Sequence, residues 1–496
     1  MLILACNGEN TENTKIDLDE LTISEIHQAY KDGSYTAEQL TAAYLARIDS
    51  FDQSMNINSV VVKNPDALQR ARELDAEFAE TGNLRPMHGI PVIVKDNYHT
   101  IGLQTAGGSI ALKDFKPKND AWQVAKLKEA GAIVLVKSNM GEWAFSPKHT
   151  NSSIAGTTRN PYNTDYVPAG SSGGTAAAVT ANFGAIGLGT DTGNSIRGPS
   201  AHNALVGFRS TLGLTSRHGI IPLYLRNDVG GPMCRTVEDA TRVLEVIAGY
   251  DPSDQLTRHS VDRIPDSYMV HLRLDGLKGK RIGVFRQLTN IELHPSVSTL
   301  FEAAIADLQR LGAEIIDPFV VEDFDELRKD QWCAEFRADI EAWLAANHPT
   351  LRKLEDLIAA GEPTPYAADG LEYFLTASGR GENAIPCGDV FSDPRRIAYR
   401  KAIEDEMDRL KLDAIIYPGW GHPPAKIDNF EAGYLGDNSQ VIAPHTGQPA
   451  FVVPMGYTEG NLPAGLQILG RMFDEPTLIE ISYAYEQGTK HRRKPF

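Results

Sequence analysis

The feature that most constrains this chain is a long run without a single charge, from Val167 to Thr190, in which Gly, Ala, Ser and Thr outnumber the large apolar residues. A bilayer-spanning helix needs about 20 mostly apolar residues, and this run is too rich in small polar side chains to be one. No membrane-spanning segment is therefore expected. Small uncharged residues suit a protein interior, where backbones approach closely. The run is expected to be buried, with the rest of the fold built around it.

Short apolar strands and helices surround it. Pro91 to Lys95, Ile133 to Lys137 and Ala185 to Gly189 read as strands, with helices over 121–131 and from Thr175 to Asn182. The helix-then-strand phrase returns at Leu308 to Ile316 and at Met407 to Tyr417, and Phe451 to Pro454 and Gly465 to Leu469 close the chain as strands. Upstream, Thr36 and Gln39 have capping-box spacing ahead of Leu40, Ala43, Tyr44 and Ile48. Pro65 stands near the first turn of a second helix, with Leu68, Ala71, Leu74 and Phe78 on one side. This alternation predicts an α/β fold, a sheet with helices on both faces. No Pro- or Ser-rich linker divides the chain, so residues 16–496 read as a single domain, with a helical layer at about 324–412 over the sheet edge or the site.

The net charge of −17 disfavours nucleic acid as a partner, since phosphate backbones call for clustered Lys and Arg. The one basic run, Lys490 to Lys494, reads as a solvated tail. Cys6, Cys234, Cys333 and Cys387 lie far apart, without the spacing of a disulfide framework or a zinc site, and the histidines show no paired metal spacing. No metal or organic cofactor is expected. Residues 1–15 read as a flexible N-terminus. Within them, Met1 to Cys6 resembles the end of a lipoprotein signal, but the charged start is missing and the apolar part is short. Localisation is left between the cytoplasm and, with Cys6 lipidated, the cell envelope.

Two glycine-rich segments carry the chemistry: Gly170-Ser171-Ser172-Gly173-Gly174, and Gly189 to Pro199. Backbone N–H groups at a tight glycine turn form an anion site, which the tetrahedral intermediate of acyl transfer needs. The second segment thus offers Ser195 as nucleophile, with backbone donors at Thr192, Gly193 and Asn194. A serine needs a base, and no histidine lies in either segment. Lys95, at the end of an apolar strand, is a candidate because desolvation lowers a lysine's pKa; on spacing alone, a solvated strand-end lysine is the more ordinary reading. Gly170 to Gly174 also fits the G-x-S-x-G nucleophile elbow, but that motif requires a strand just before the serine, and Tyr162 to Ala169 reads as loop.

These segments, with His88 to Asp96, Lys137 to Met140, Gly447 to Gly456 and Leu462 to Gln467, resemble the amidase signature family over roughly residues 20–490. The resemblance implies that family's large mixed β-sheet fold and a Lys–Ser–Ser catalytic set: Lys95 the base, Ser171 the relay, preceded by a cis peptide bond, and Ser195 the nucleophile. Ser172 then becomes a supporting hydrogen-bonding residue. Asp191 and Arg197 read as braces of the loop, and Phe145 and Ser146 hold the substrate-side position. The family usually has Gly-Gly-Ser where this chain has Gly193-Asn194-Ser195, so the Asn side chain is expected to narrow or polarise the pocket. The function implied is amidase hydrolysis of a small-molecule amide, with esters or carbamates within the same chemistry, by a monomer or homodimer. Two other readings stand beside it: an amidotransferase component supplying ammonia to an aminoacyl-tRNA-modifying complex, and a binding protein with a dead site.

Overall fold

Local signals decide the first helices. Thr36 caps the helix Ala37–Phe51 by accepting the Gln39 N–H at 3.2 Å, and the Gln39 side chain accepts the Thr36 N–H at 2.9 Å. Leu40, Tyr44 and Ile48 form its buried stripe. The helix Ala67–Thr81 starts just past Pro65 and buries Ala67, Ala71 and Leu74, with Leu68 and Phe78 half-buried at the margin. These elements come from a computed structural model that describes residues 16–288, 293–380 and 385–496. The segment 1–15, with Cys6, lies outside the described residues.

The strands are β1 Val60–Lys63, β2 Pro91–Lys95, β3 Ile133–Ser138, β4 Asn151–Ser152, β5 Gly156–Thr157, β6 Ile186–Asp191, β7 Val206–Arg209, β8 Val229–Cys234, β9 Arg281–Phe285, β10 Glu314–Phe319, β11 Ala414–Pro418, β12 Ala450–Thr458 and β13 Leu462–Leu469. Eleven of them form one sheet in the order β1-β3-β2-β6-β8-β7-β12-β13-β11-β9-β10, and β4 pairs with β5 apart from it. Parallel pairs β3/β2/β6 and β11/β9/β10 flank an antiparallel centre, so the sheet is mixed. Helices surround it, as the alternation of elements predicts. β7, β8 and β9 escape a reading by pattern because Gly and Pro interrupt their apolar runs.

Every residue from Val167 to Thr190 is buried. The helix in this run, Gly173–Thr180, begins earlier than its alanines alone suggest, because glycines at its start let it press against the loop after β3. A Cβ on Gly174 would lie 2.1 Å from the Asn139 carbonyl oxygen. The helices Phe336–Asn347, Leu354–Ala360 and Pro365–Thr376 make a separate small core, in which Phe336, Ile340, Leu344, Leu354, Leu357 and Leu371 enclose Trp143 from the segment after β3. Phe336, Tyr366, Tyr373 and Phe374 of this layer face Thr192 to Ser195, just past the end of β6.

Two expectations are corrected. Cys333 and Cys387 are joined as a disulfide with Cα atoms 6.3 Å apart; their separation along the chain hides a meeting that the helical layer creates. The basic tail is docked rather than solvated. Arg492 pairs with Glu20 at 2.6 Å and donates to the Ala204 carbonyl at 2.6 Å, Lys494 pairs with Asp19, and Arg493 lies over Tyr457. The acidic pair Asp19 and Glu20 supplies the partners that sequence distance conceals.

Candidate active site

β2 and β6 are parallel neighbours, with Val92 beside Ile186 and Val94 beside Leu188. Lys95 and Thr190 therefore leave the same carboxyl end of the sheet side by side, where open α/β sheets place their ligands. Lys95 is completely buried. Its Nζ donates to Thr190 Oγ1 at 2.8 Å and to Ser171 Oγ at 2.7 Å. Burial lowers this amine to about 7, although Asp191 and Asp228 oppose the shift. A solvated strand-end lysine is thus ruled out by the neighbours that the fold stacks around it.

Ser171 follows a cis peptide bond from Gly170. Its loop is tied on three sides. The Ser171 carbonyl accepts the Gly141 N–H at 2.9 Å, the Gly170 N–H reaches the Pro147 carbonyl at 3.0 Å, and Ser172 Oγ donates to the Thr190 carbonyl at 3.1 Å. Ser172 thereby links this loop to the end of β6.

Beyond β6 the chain turns through Thr192, Gly193, Asn194 and Ser195 into the helix Arg197–His202. Asp191 organises the turn. Its carboxylate accepts the Ile196 N–H at 3.1 Å and pairs with Arg197 at 3.1 Å and Arg209 at 2.8 Å, all with buried side chains. Arg197 also donates to the Gly193 carbonyl at 2.7 Å. Thr192 Oγ1 donates to Asp228 at 2.5 Å. Among the described residues, the N–H groups of Thr192, Gly193, Asn194 and Ser195 find no protein acceptor. A run of free donors beside a hydroxyl is an anion site in waiting.

Burial works against the Asp191 charge, but the Arg197 and Arg209 guanidiniums outweigh it and hold the carboxyl well below the usual carboxylate range. With a folded pKa depressed, the pair contributes stability above the ordinary carboxylate range and loses it as pH falls through and below about 4. Asp191→Ala strands two buried guanidiniums, and an unfolding free energy lower by ~3–5 kcal/mol is expected from urea titration at neutral pH.

Thr192, Gly193, Asn194 and Ser195 line a cavity of about 490 Å³. Its far wall is aromatic: Phe145, Phe336, Tyr366, Tyr373 and Phe374, with Trp332 and Leu223 beside them. Asp369 is the one charged side chain among the described lining residues. Phe145 packs against Phe336 at 4.8 Å between ring centres. Ser146 does not face the cavity; it is buried with Oγ 2.8 Å from His149 Nδ1. Lys95, Ser171, Ser172, Asp191 and Arg197 lie behind the floor rather than on it. The sequence assigns no role to Thr190, although it lies within the second glycine-rich segment, and it does not point to Arg209, Asp228 or His149, which belong to no motif with legible spacing; each is recruited by strand order or loop packing.

A family model described as Amidase matches residues 39–479, nearly the whole chain. The chain belongs to the amidase family. This amidase-family chain is 35% identical over 507 residues to a probable amidase of Arabidopsis thaliana, covering 97% of the chain and 93% of that protein. It is also 35% identical over 497 residues to a glutamyl-tRNA(Gln) amidotransferase subunit of Thermoanaerobacter pseudethanolicus, covering 97% and 99%. Among solved structures, the native peptide amidase from Stenotrophomonas maltophilia superposes with a TM-score of 0.83 at 34% identity, covering 96% of this chain and 99% of that one. The large mixed sheet is accordingly the fold of amidase signature enzymes, and the chain is a hydrolase of carbon–nitrogen bonds.

Proposed function

We propose that this chain is a self-sufficient amidase that cleaves small carboxamides with an apolar acyl group through an acyl-enzyme on Ser195. The observation that carries the reading is the Lys95 Nζ to Ser171 Oγ contact of 2.7 Å, directly behind a floor that presents Ser195 and four unpaired N–H groups to an aromatic cavity. Neutral Lys95 accepts the Ser171 proton while Ser171 takes the proton of Ser195, whose Oγ attacks the carbonyl carbon. The N–H groups of Thr192, Gly193 and Asn194 hold the resulting oxyanion. Ser171 then returns a proton to the leaving nitrogen, the C–N bond breaks, and water repeats the sequence to release the acid. Asp191 and Arg197 brace the loop, Ser172 ties the relay to β6, and Phe145 meets the acyl group. Every residue in this scheme comes from one chain, so a monomer or homodimer suffices.

The likeness to the amidotransferase relative supports a second reading, ammonia release from glutamine for a partner complex. The cavity argues against it, because the α-carboxylate of free glutamine would meet no lining cation and a buried unpaired charge is costly. Assaying the purified chain alone against aryl amides, N-acyl amino acid amides and glutamine separates the two. Turnover of neutral amides without added chains is expected, with kcat/KM for glutamine at least ~10²-fold lower. No turnover of neutral amides, with ammonia released from glutamine once companion chains are added, would reverse the assignment.

A further inference from the structure

Asn194 stands where the family usually keeps glycine, and its side chain has a complete set of partners. Nδ2 donates to Asp437 Oδ2 at 2.9 Å and to the Pro147 carbonyl at 3.3 Å. An ionised carboxylate and a backbone carbonyl are acceptors only. Turning the amide over would therefore set oxygen against oxygen twice. Oδ1 is thus the atom presented to Ser195, and it accepts the Ser195 hydroxyl at 3.4 Å. Asp437 is in turn held by the Tyr434 hydroxyl at 2.7 Å and by Gln440 Nε2 at 2.9 Å. Burial raises its carboxyl to about 6 while Tyr434 and Gln440 pull it back, so it is mostly ionised at neutral pH. Space for the Asn194 amide exists because Gly198 lacks a side chain; a Cβ there would lie 2.8 Å from Nδ2.

We propose that Asp437 is a positioning residue for the nucleophile, acting through Asn194 to fix the direction of the Ser195 hydroxyl on the cavity floor. The proposal rests on the reading of Ser195 as nucleophile. With Asp437 in place, Asn194 Oδ1 accepts the Ser195 O–H in the free enzyme, so the amide offers Oγ no donor and its lone pairs stay free until the proton passes to Ser171. Without it, the amide can turn and offer an N–H to Oγ, occupying the electron pair that attack requires. Orientation errors of this kind lower the rate of bond formation rather than the affinity for the ligand.

The test follows phosphonylation of Ser195 by a fluorophosphonate, read by intact mass. The Oγ–P bond forms, the P–F bond breaks, fluoride leaves, and the proton passes through Ser171 to Lys95. Asp437→Asn is expected to lower the maximal labelling rate roughly tenfold with the half-saturating probe concentration unchanged. In an Asn194→Gly background the same substitution is expected to change the rate less than about twofold, since distant, uncoupled effects multiply and coupled ones do not. Tyr434→Phe, which loosens the same carboxylate without removing its charge, is expected to follow this pattern at smaller size, and it reads out if Asp437→Asn does not fold. A slowing that persists undiminished in the Asn194→Gly background, or no slowing in the parent, overturns the proposal. If the parent chain is not labelled at Ser195, the nucleophile reading falls and the proposal with it; labelling at Ser195 without coupling overturns the proposal alone.

Discussion

Ser195→Ala is expected to lower kcat/KM on any amide substrate by on the order of 10⁴–10⁶, and to abolish the mass shift from a fluorophosphonate. The size follows from the way the site is wired. Ser195 is the hydroxyl among the three proposed catalytic residues that lines the cavity, while Ser171 Oγ is engaged with Lys95 behind the floor. Ser171→Ala is expected to cost a comparable factor, because the proton then has no path from Ser195 to Lys95. The double variant should be no worse than either single one, as befits residues that act as a unit. A Ser195→Ala protein that still labels and still turns over would place the nucleophile elsewhere, with Ser171 in its elbow-like loop the first place to look.

Lys95→Ala is expected to lower kcat/KM by ~10²–10⁴, the usual range for a general base. Its pH profile carries the more specific signal. Burial brings the amine to about 7, and in the proposed mechanism the neutral form is the base. The rate in the unaltered chain should therefore rise with pH through about 7 and level off above it, and Lys95→Ala should lose that limb. Stability runs against activity here. The folded pKa lies below the ordinary lysine value of about 10.4, so the unfolded chain binds the extra proton between the two. The penalty on folding is absent above about 10.4, grows as pH falls from there, and is complete below about 7. Lys95→Met, similar in reach and uncharged, is expected to melt at a higher temperature at pH 6 while remaining inactive. Near wild-type activity in Lys95→Ala at neutral pH would remove this lysine as base.

The interior character of Val167 to Thr190 was legible from composition, because a run with no charge and mostly small residues can be buried against other backbone. The capping of Ala37–Phe51, the apolar strand ending at Lys95, and the α/β class were legible from local pattern, since capping, periodicity and turn chemistry act between residues close in the chain. The motifs that carry the family resemblance were legible for the same reason: the glycine loops around Ser171 and Ser195 are contiguous.

What surrounds those motifs was decided in three dimensions. Thr190 meets Lys95 because β6 lies beside β2, and Arg209 meets Asp191 because β7 and β8 fold back next to β6. Asp437 reaches Asn194 across 243 positions of chain. Cys333 finds Cys387, and Arg492 finds Glu20, by equally indirect routes. The lysine's perturbed amine also belongs to this level, because desolvation depends on everything packed around a group and not on its neighbours in sequence. The residue types able to do the chemistry can be read along the chain, but their charge state, orientation and partners are set by contacts between segments that only the folded sheet brings together.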